Sequence, residues 1–279
     1  MLTRMLKSQV LVASLLSVAL LASCSKKVAE TPGADSTASK PAAEVKIVPA
    51  ETGIDFPGAK LEIVSPKEGQ VLKSEKDSQM VVMKVTGMEL AKPTPGDSAK
   101  GIAYSKQGQH VHVIVDGKPY MADYKNGTPF NIGVLAVGKH TIRAFPARSW
   151  HESVKAMTTF GVRTFYVGAA PAKTEKVDAI DPKAPMLTYS RPKGTYTVKE
   201  AEKLLLDFYL TNVTLGADGD KVTVTIDGKM IESLTEWKPY FITGLGVGKH
   251  TIALQLIDAK GTPVPGEYNA PSMEITISY

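Results

Sequence analysis

The chain has 279 residues, with 33 Lys and Arg against 28 Asp and Glu and a single cysteine. A net charge of +5 over this length is too small to point to nucleic acid as a partner. One cysteine leaves no internal disulfide and no thiolate cluster for a metal.

The chain begins MLTRMLKSQVLVASLLSVALLASCSKK. Arg4 and Lys7 form a basic start, and Val10 to Ala22 is an apolar run broken only by serines. The run is shorter than the roughly 20 residues that span a bilayer, so it fits the core of an export signal better. It ends in Leu21-Ala22-Ser23-Cys24, which resembles the lipobox of bacterial lipoproteins. The resemblance implies a signal peptide over 1–23, cleavage before Cys24, lipidation of the Cys24 thiol and acylation of the new amino group. Ser25 in the next position implies, in a Gram-negative cell, transfer to the outer membrane. Loss of the signal leaves 31 basic against 28 acidic side chains.

Residues 24–55 are rich in Ala, Ser, Thr, Pro, Lys and Glu and have no apolar period. Such a segment cannot bury enough surface to offset its ordering entropy, so a flexible, disordered tether is expected.

The remainder repeats itself. Val137-Gly-Lys-His-Thr-Ile142 returns unchanged as Val247-Gly-Lys-His-Thr-Ile252, and HVHVIVDGK (110–118) aligns with KVTVTIDGK (221–229). SPKEGQVL (65–72) aligns loosely with SRPKGTYTV (190–198). Two similar domains follow, 56–168 and 185–279, joined by a Pro- and Ala-rich linker at 169–184. In the first, alternating runs predict strands over Leu61–Val64, Met80–Val85, His110–Val115, His140–Phe145 and Phe160–Val167. In the second they predict strands over Leu204–Leu210, Lys221–Ile226, Tyr240–Ile242, His250–Ile257 and Met273–Ser278. Short strands at this spacing predict an all-β chain of two tandem β-sandwiches.

The pattern resembles bacterial immunoglobulin-like or fibronectin-III-like domains. The residues that carry the resemblance are the Pro/Gly-bearing first strands, the V-x-V-x-[VI]-D-G strands at 111–117 and 222–228, and the L-x-x-G-x-H-T strands beginning at Leu135 and Leu245. The resemblance specifies a fold more than a function, since such domains serve as spacers, adhesins, carbohydrate binders and enzyme accessories. It makes HVHV strand C, HTIRAF strand F and FGVRTFYV strand G.

The repeat also sorts the histidines. His140 and His250 hold equivalent places, which suits a structural role at the turn before a strand. His110 and His112 have Lys221 and Thr223 as counterparts and are specific to the first domain. Alternation assigns Val111, Val113 and Val115 to the core and turns both histidines outward, on one side of the strand. Imidazoles two apart on a strand can converge on one metal.

Two further features separate the repeats. The segment before His110 is longer than its counterpart before Lys221, and the first domain alone carries RAFPARSWHESVK (143–155). In an immunoglobulin-like sandwich the B–C and F–G loops share one end, so these features are expected to meet at one tip. His110, His112, His151 and Glu152 are candidate ligands for Zn²⁺ or Cu ions. Tyr104, Arg148, Trp150 and Lys155 are candidate contacts for a carbohydrate or protein ligand. The same residues are also compatible with a solvated strand and a packed loop.

No enzyme is indicated. His151-Glu152-Ser-Val-Lys155 lacks the second His of H-E-x-x-H, and neither G-x-S-x-G nor a phosphate-binding loop is present. The expectation is a non-enzymatic binding or interaction module, lipid-anchored in the bacterial envelope, with the tip as its site; metal binding is the alternative.

Overall fold

Alternation decides the layers. In β5 (His110–Val115) the three valines face inward, and in β13 (Lys221–Ile226) Val222, Val224 and Ile226 do the same. The computed structural model describes residues 44–73, 76–96, 102–168 and 180–279, so the signal segment, Cys24, most of the tether and most of the linker lie outside the described residues.

Two sandwiches are built on one plan. The first has a sheet of β2 (Lys60–Ser65), β4 (Gln79–Thr86) and β7 (Pro129–Gly133). Facing it is a sheet ordered β3 (Val71–Leu72), β9 (Gly161–Val167), β8 (Gly138–Ala147), β5, β6 (Met121–Asp123). The second has β10 (Met186–Arg191), β12 (Leu204–Thr211) and β15 (Tyr240–Thr243) opposite β11 (Gly194–Thr197), β17 (Ser272–Ser278), β16 (Gly248–Ile257), β13 and β14 (Lys229–Leu234). Strands β2–β9 and β10–β17 therefore correspond one to one, and each sandwich closes its own apolar core. The fold is all-β and immunoglobulin-like, with β5, β8 and β9 at the C, F and G positions. One helical turn, α1 (Val198–Ala201), capped reciprocally by Thr197 and Glu200, precedes β12.

The tether is corrected at its end. Within the expected 24–55 segment, Lys46–Pro49 forms β1 (Lys46–Pro49), antiparallel to β15 at the edge of the second sandwich. Composition hid this strand, because an edge strand can be supported by ladder hydrogen bonds rather than by side-chain burial, and β1 is mostly exposed.

The repeated histidines are turn latches. His140 Nδ1 lies 2.7 Å from Asp116 Oδ2, its Nε2 lies 2.8 Å from the Ala136 carbonyl, and Thr141 N donates to Asp116 Oδ1. In the second sandwich His250, Asp227, Gly246 and Thr251 repeat the set at 2.7, 2.9 and 2.8 Å. Burial opposes protonation of His250, but the Asp227 carboxylate and the Gly246 carbonyl outweigh it and raise its pKa. The two hydrogen bonds likewise outweigh burial at Asp227 and lower its pKa.

The outer face of the β5–β8 sheet meets the outer face of the β10–β12 sheet. Ile114, Tyr120, Phe145 and Tyr209 form the apolar centre of this contact, with Phe160 and Trp237 packed against it. Several polar side chains pair across it. Arg143 donates to Thr188 Oγ1 (2.9 Å) and the Leu187 carbonyl (3.3 Å), and Thr159 and Tyr209 share a hydrogen bond (2.9 Å). Asp207, fully buried on β12, accepts from Lys155 Nζ (2.5 Å), Ser153 Oγ (3.0 Å) and Ser153 N (3.2 Å).

Two outcomes follow from these contacts. Asp207→Ala strands a buried ammonium, so chemical denaturation is expected to show a loss of about 3–5 kcal/mol, much of it recovered when Lys155→Met is added. For the latch, His250→Gln removes a group whose folded pKa lies above its unfolded value. Its contribution is complete below about 6.5 and fades as pH rises through the folded pKa, while that of Asp227 is present above about 3.9 and fades in acid. The melting-temperature deficit of His250→Gln is therefore expected to be larger at pH 5.5 than at pH 9, and an equal deficit at both would exclude the charged latch.

Candidate functional site

Three histidine nitrogens meet in one place. His110 and His112 leave β5 on the side away from the valine core, as alternation requires. His151 reaches them from the loop after β8. That loop closes on itself through Arg148 N to the Glu152 carbonyl and His151 N to the Arg148 carbonyl, both 2.8 Å. His151 takes φ +69°, a left-handed conformation in which histidine is enriched among non-glycine residues. His110 Nε2 then lies 3.1 Å from His112 Nε2 and 3.1 Å from His151 Nδ1, and one donor atom from each ring falls within 4.8 Å of the others.

The outward face that alternation gives the two histidines is not solvated. His110 and His112 are both 0% exposed, because the second sandwich covers the face they occupy. His112 Nδ1 lies 3.1 Å from Ser190 Oγ on β10. The Tyr120 ring stacks on His112 with centroids 3.5 Å apart, and Tyr120 Oη lies 3.1 Å from His151 Nδ1. Lys193 donates to the Tyr120 carbonyl at 2.7 Å.

Burial sets the protonation state. Desolvation lowers the His110 pKa to about 4 and that of His151 to about 2, and Arg191 and Lys193 push both the same way. His112, wholly enclosed, is lowered well below the ordinary imidazole range, again chiefly by desolvation. All three rings are thus neutral near pH 7, the form that binds metals. The Gly108 carbonyl, 2.8 Å from His110 Nδ1, can only accept, so that nitrogen carries the proton and Nε2 presents its lone pair to the cluster.

The remaining candidate residues have other tasks. Glu152 does not reach the histidines. It accepts from Trp150 Nε1 (2.7 Å) and from Gly53 N, and it pairs with Arg148 Nη1 at 3.3 Å. Burial pushes the Glu152 carboxyl up in pKa and the Arg148 guanidinium down, with each partner offsetting part of the other's shift. Arg148 donates to the Ser153, Gly53 and Ile54 carbonyls. Gly53 is needed there, since a Cβ would come within 2.4 Å of Trp150 Cζ2 and 2.7 Å of Arg148 Cδ. Trp150 is 2% exposed and Arg148 1%, so neither is available as a ligand-contact surface. Lys155 is spent on Asp207. Of the four candidate ligand contacts only Tyr104 is exposed, at 42%.

Tyr120, Ser190, Arg191 and Lys193 escaped sequence reasoning. The last three belong to the second repeat, and only docking of the two sandwiches brings them to the histidines. A signal did exist: β12 reads LLLDFYLT and is buried at every position, whereas its counterpart β4 alternates between buried and exposed. A run buried on both faces announces a second packing partner.

No protein-family model and no curated protein sequence matches the chain. Among solved structures, the fibronectin(III)-like modules of Clostridium thermocellum CbhA are 16% identical over 78% of this chain and 94% of theirs, with a TM-score of 0.26. The Bacteroides ovatus mixed-linkage glucan utilization locus protein SGBP-B, solved with a mixed-linkage heptasaccharide, is 16% identical over 78% of this chain and 47% of its own, with a TM-score of 0.23. The two tandem V-type regions of VCBP3, a v-region-containing chitin binding protein, are 7% identical over 79% of this chain and 99% of theirs, also with a TM-score of 0.23.

Trp150 separates a packing role from a binding one. Trp150→Ala is expected to cost about 3–5 kcal/mol of stability, the range for a fully buried large aromatic. A melting temperature equal to that of the parent would return Trp150 to the list of surface contacts.

Proposed function

We propose that this is a non-enzymatic, lipid-anchored protein of the bacterial envelope whose first sandwich holds a Zn²⁺ or copper ion at His110, His112 and His151. Cys24 supplies the lipid anchor, and in a Gram-negative cell Ser25 directs the protein to the outer membrane. The observation that carries the metal reading is the convergence of ring nitrogens at 3.1 Å in a buried, neutral cluster. Two imidazole nitrogens on a tetrahedral zinc, each at about 2.0–2.1 Å, stand ~3.3 Å apart. Without an ion, the one lone pair of His110 Nε2 faces two ring nitrogens at once.

The surroundings support the same reading. The Gly108 carbonyl fixes the tautomer of His110, and Ser190 stands where a partner to the far nitrogen of a liganding histidine belongs. Because Ser190 belongs to the second sandwich, metal affinity becomes a property of the docked pair.

A second reading, as a carbohydrate- or protein-binding module, is favoured by an open groove of about 860 Å³ beside the B–C loop. Phe56, Met88, Leu90, Pro93 and Tyr124 are among its walls. It would leave the histidines without a ligand and place function in the groove.

Calorimetric titration of the purified protein with Zn²⁺ and with Cu²⁺ decides between the two. One ion per chain is expected, with binding abolished in His110→Ala/His112→Ala and in the less buried His151→Ala, while circular dichroism remains that of the folded parent. Ser190→Ala is expected to retain the site and weaken it roughly 10- to 100-fold. Uptake that is absent, or indifferent to all of these changes, would sink the metal reading.

A further inference from the structure

We propose that the phenol oxygen of Tyr120 is the fourth ligand of the three-histidine centre, so that the site closes with three nitrogens and one oxygen. This rests on the metal reading above and names the residue that completes it.

The first ground is distance. Tyr120 Oη lies 3.1 Å from His151 Nδ1, the same nitrogen that lies 3.1 Å from His110 Nε2. His110 Nε2 in turn lies 3.1 Å from His112 Nε2. Four donor atoms thus follow one another at the spacing of neighbours on a single ion, ~3.3 Å for tetrahedral zinc. Tyr120 also returns to the start of this series, since its ring stacks on that of His112 with centroids 3.5 Å apart and planes 11° from parallel. His151 Nδ1 has one lone pair or one proton and two polar neighbours, so a hydrogen bond cannot serve both well. An ion among the donors serves all four.

The second ground is elimination. Another tyrosine, Tyr124, packs its ring 4.9 Å from that of His110, but its Oη is hydrogen-bonded to Ser105 Oγ at 2.7 Å. Glu152 is committed to Trp150, Gly53 and Arg148. Ser190 stands at His112 Nδ1, the nitrogen that does not face His110. Of these side chains, only Tyr120 offers an oxygen to a ring nitrogen that also meets a second histidine.

The third ground is fixity. Tyr120 is 4% exposed. His112 covers its ring, and Lys193 Nζ lies 4.0 Å from the ring centre while donating to the Tyr120 carbonyl. A donor held in place before the ion arrives loses little freedom on binding it. Four protein ligands leave no open position, which suits a site that holds an ion and does not turn over a substrate. Mixed nitrogen and oxygen donors suit Cu²⁺. On ligation the phenol proton leaves to solvent, as it does from other ionisable ligands.

Copper is the probe, because a phenolate bound to Cu²⁺ gives a visible charge-transfer band that imidazoles alone do not give. The full-length protein in detergent is titrated with Cu²⁺ and followed by absorption. The band is expected in the parent and in Tyr124→Phe, saturating at one ion per chain. Tyr120→Phe is expected to keep Cu²⁺, lose the band and bind at least about 10-fold more weakly, the lower end of what even an outer-shell partner contributes. Calorimetry in buffers of different ionisation enthalpy is expected to show about one proton fewer released by Tyr120→Phe than by the parent. If Tyr120→Phe does not fold, resonance Raman excitation within the band of Tyr124→Phe is expected to show phenolate modes that shift with ring-deuterated tyrosine. Bound Cu²⁺ without the band, without those modes, or with a band that survives in Tyr120→Phe overturns the proposal and leaves the metal reading standing. No Cu²⁺ uptake by the parent overturns both.

Discussion

The outward face of β5 and β8 has no water beside it. In an isolated sandwich His110, His112, Arg143 and Phe145 would stand on a solvated sheet. Here β10 and β12 of the second sandwich cover them, and desolvation governs what each can be. Arg143 finds Thr188 and the Leu187 carbonyl, Phe145 stacks on Tyr209, and the histidines are held neutral. The same burial makes Asp207 answer for Lys155 and Ser153. An apolar centre ringed by paired side chains such as Arg143–Thr188 and Lys155–Asp207 has the character of a permanent contact, in which breaking one partner costs more than the pair contributes.

Duplication gives the molecule an internal control. His140 and His250 do the same work in both sandwiches, each bridging an aspartate and a carbonyl at the turn into the F strand. His110, His112 and His151 have no such counterparts, and they are the three that gather. The two copies share a backbone plan and diverge at the strand faces that touch. Where β5 and β8 are buried throughout their outer halves, β13 and β16 alternate with partly exposed positions. One copy could thus acquire a buried polar cluster while the other kept an ordinary solvated sheet.

The loop after β8 holds the segment that follows β1. Glu152 and Arg148 bind the Gly53–Ile54 backbone, a few residues after β1 has paired with the second sandwich. The incoming chain is thereby fastened to both sandwiches. The residues that looked like a ligand platform, Trp150 and Arg148, are what fastens it, and between them and Glu152 His151 takes the left-handed conformation in which it reaches His110.

By itself the sequence determined ten of the seventeen strands among the described residues, the twofold plan and the latches. Period-two alternation and Asp-Gly turns are local signals, and each domain's core depends only on residues within it. It also separated the histidines that repeat from those that do not, and it turned His110 and His112 away from the valines. What it left open was the environment of that outward face. Alternation reports which side of a strand faces its own core and is silent on whether the other side meets water or a neighbouring domain. The run LLLDFYL, apolar at every position but Asp207, hinted at a second partner, yet the identity of that partner depends on docking between residues some eighty positions apart, such as His112 and Ser190. Only the tertiary structure therefore decided that two exposed-looking imidazoles are buried and neutral, and within reach of a third.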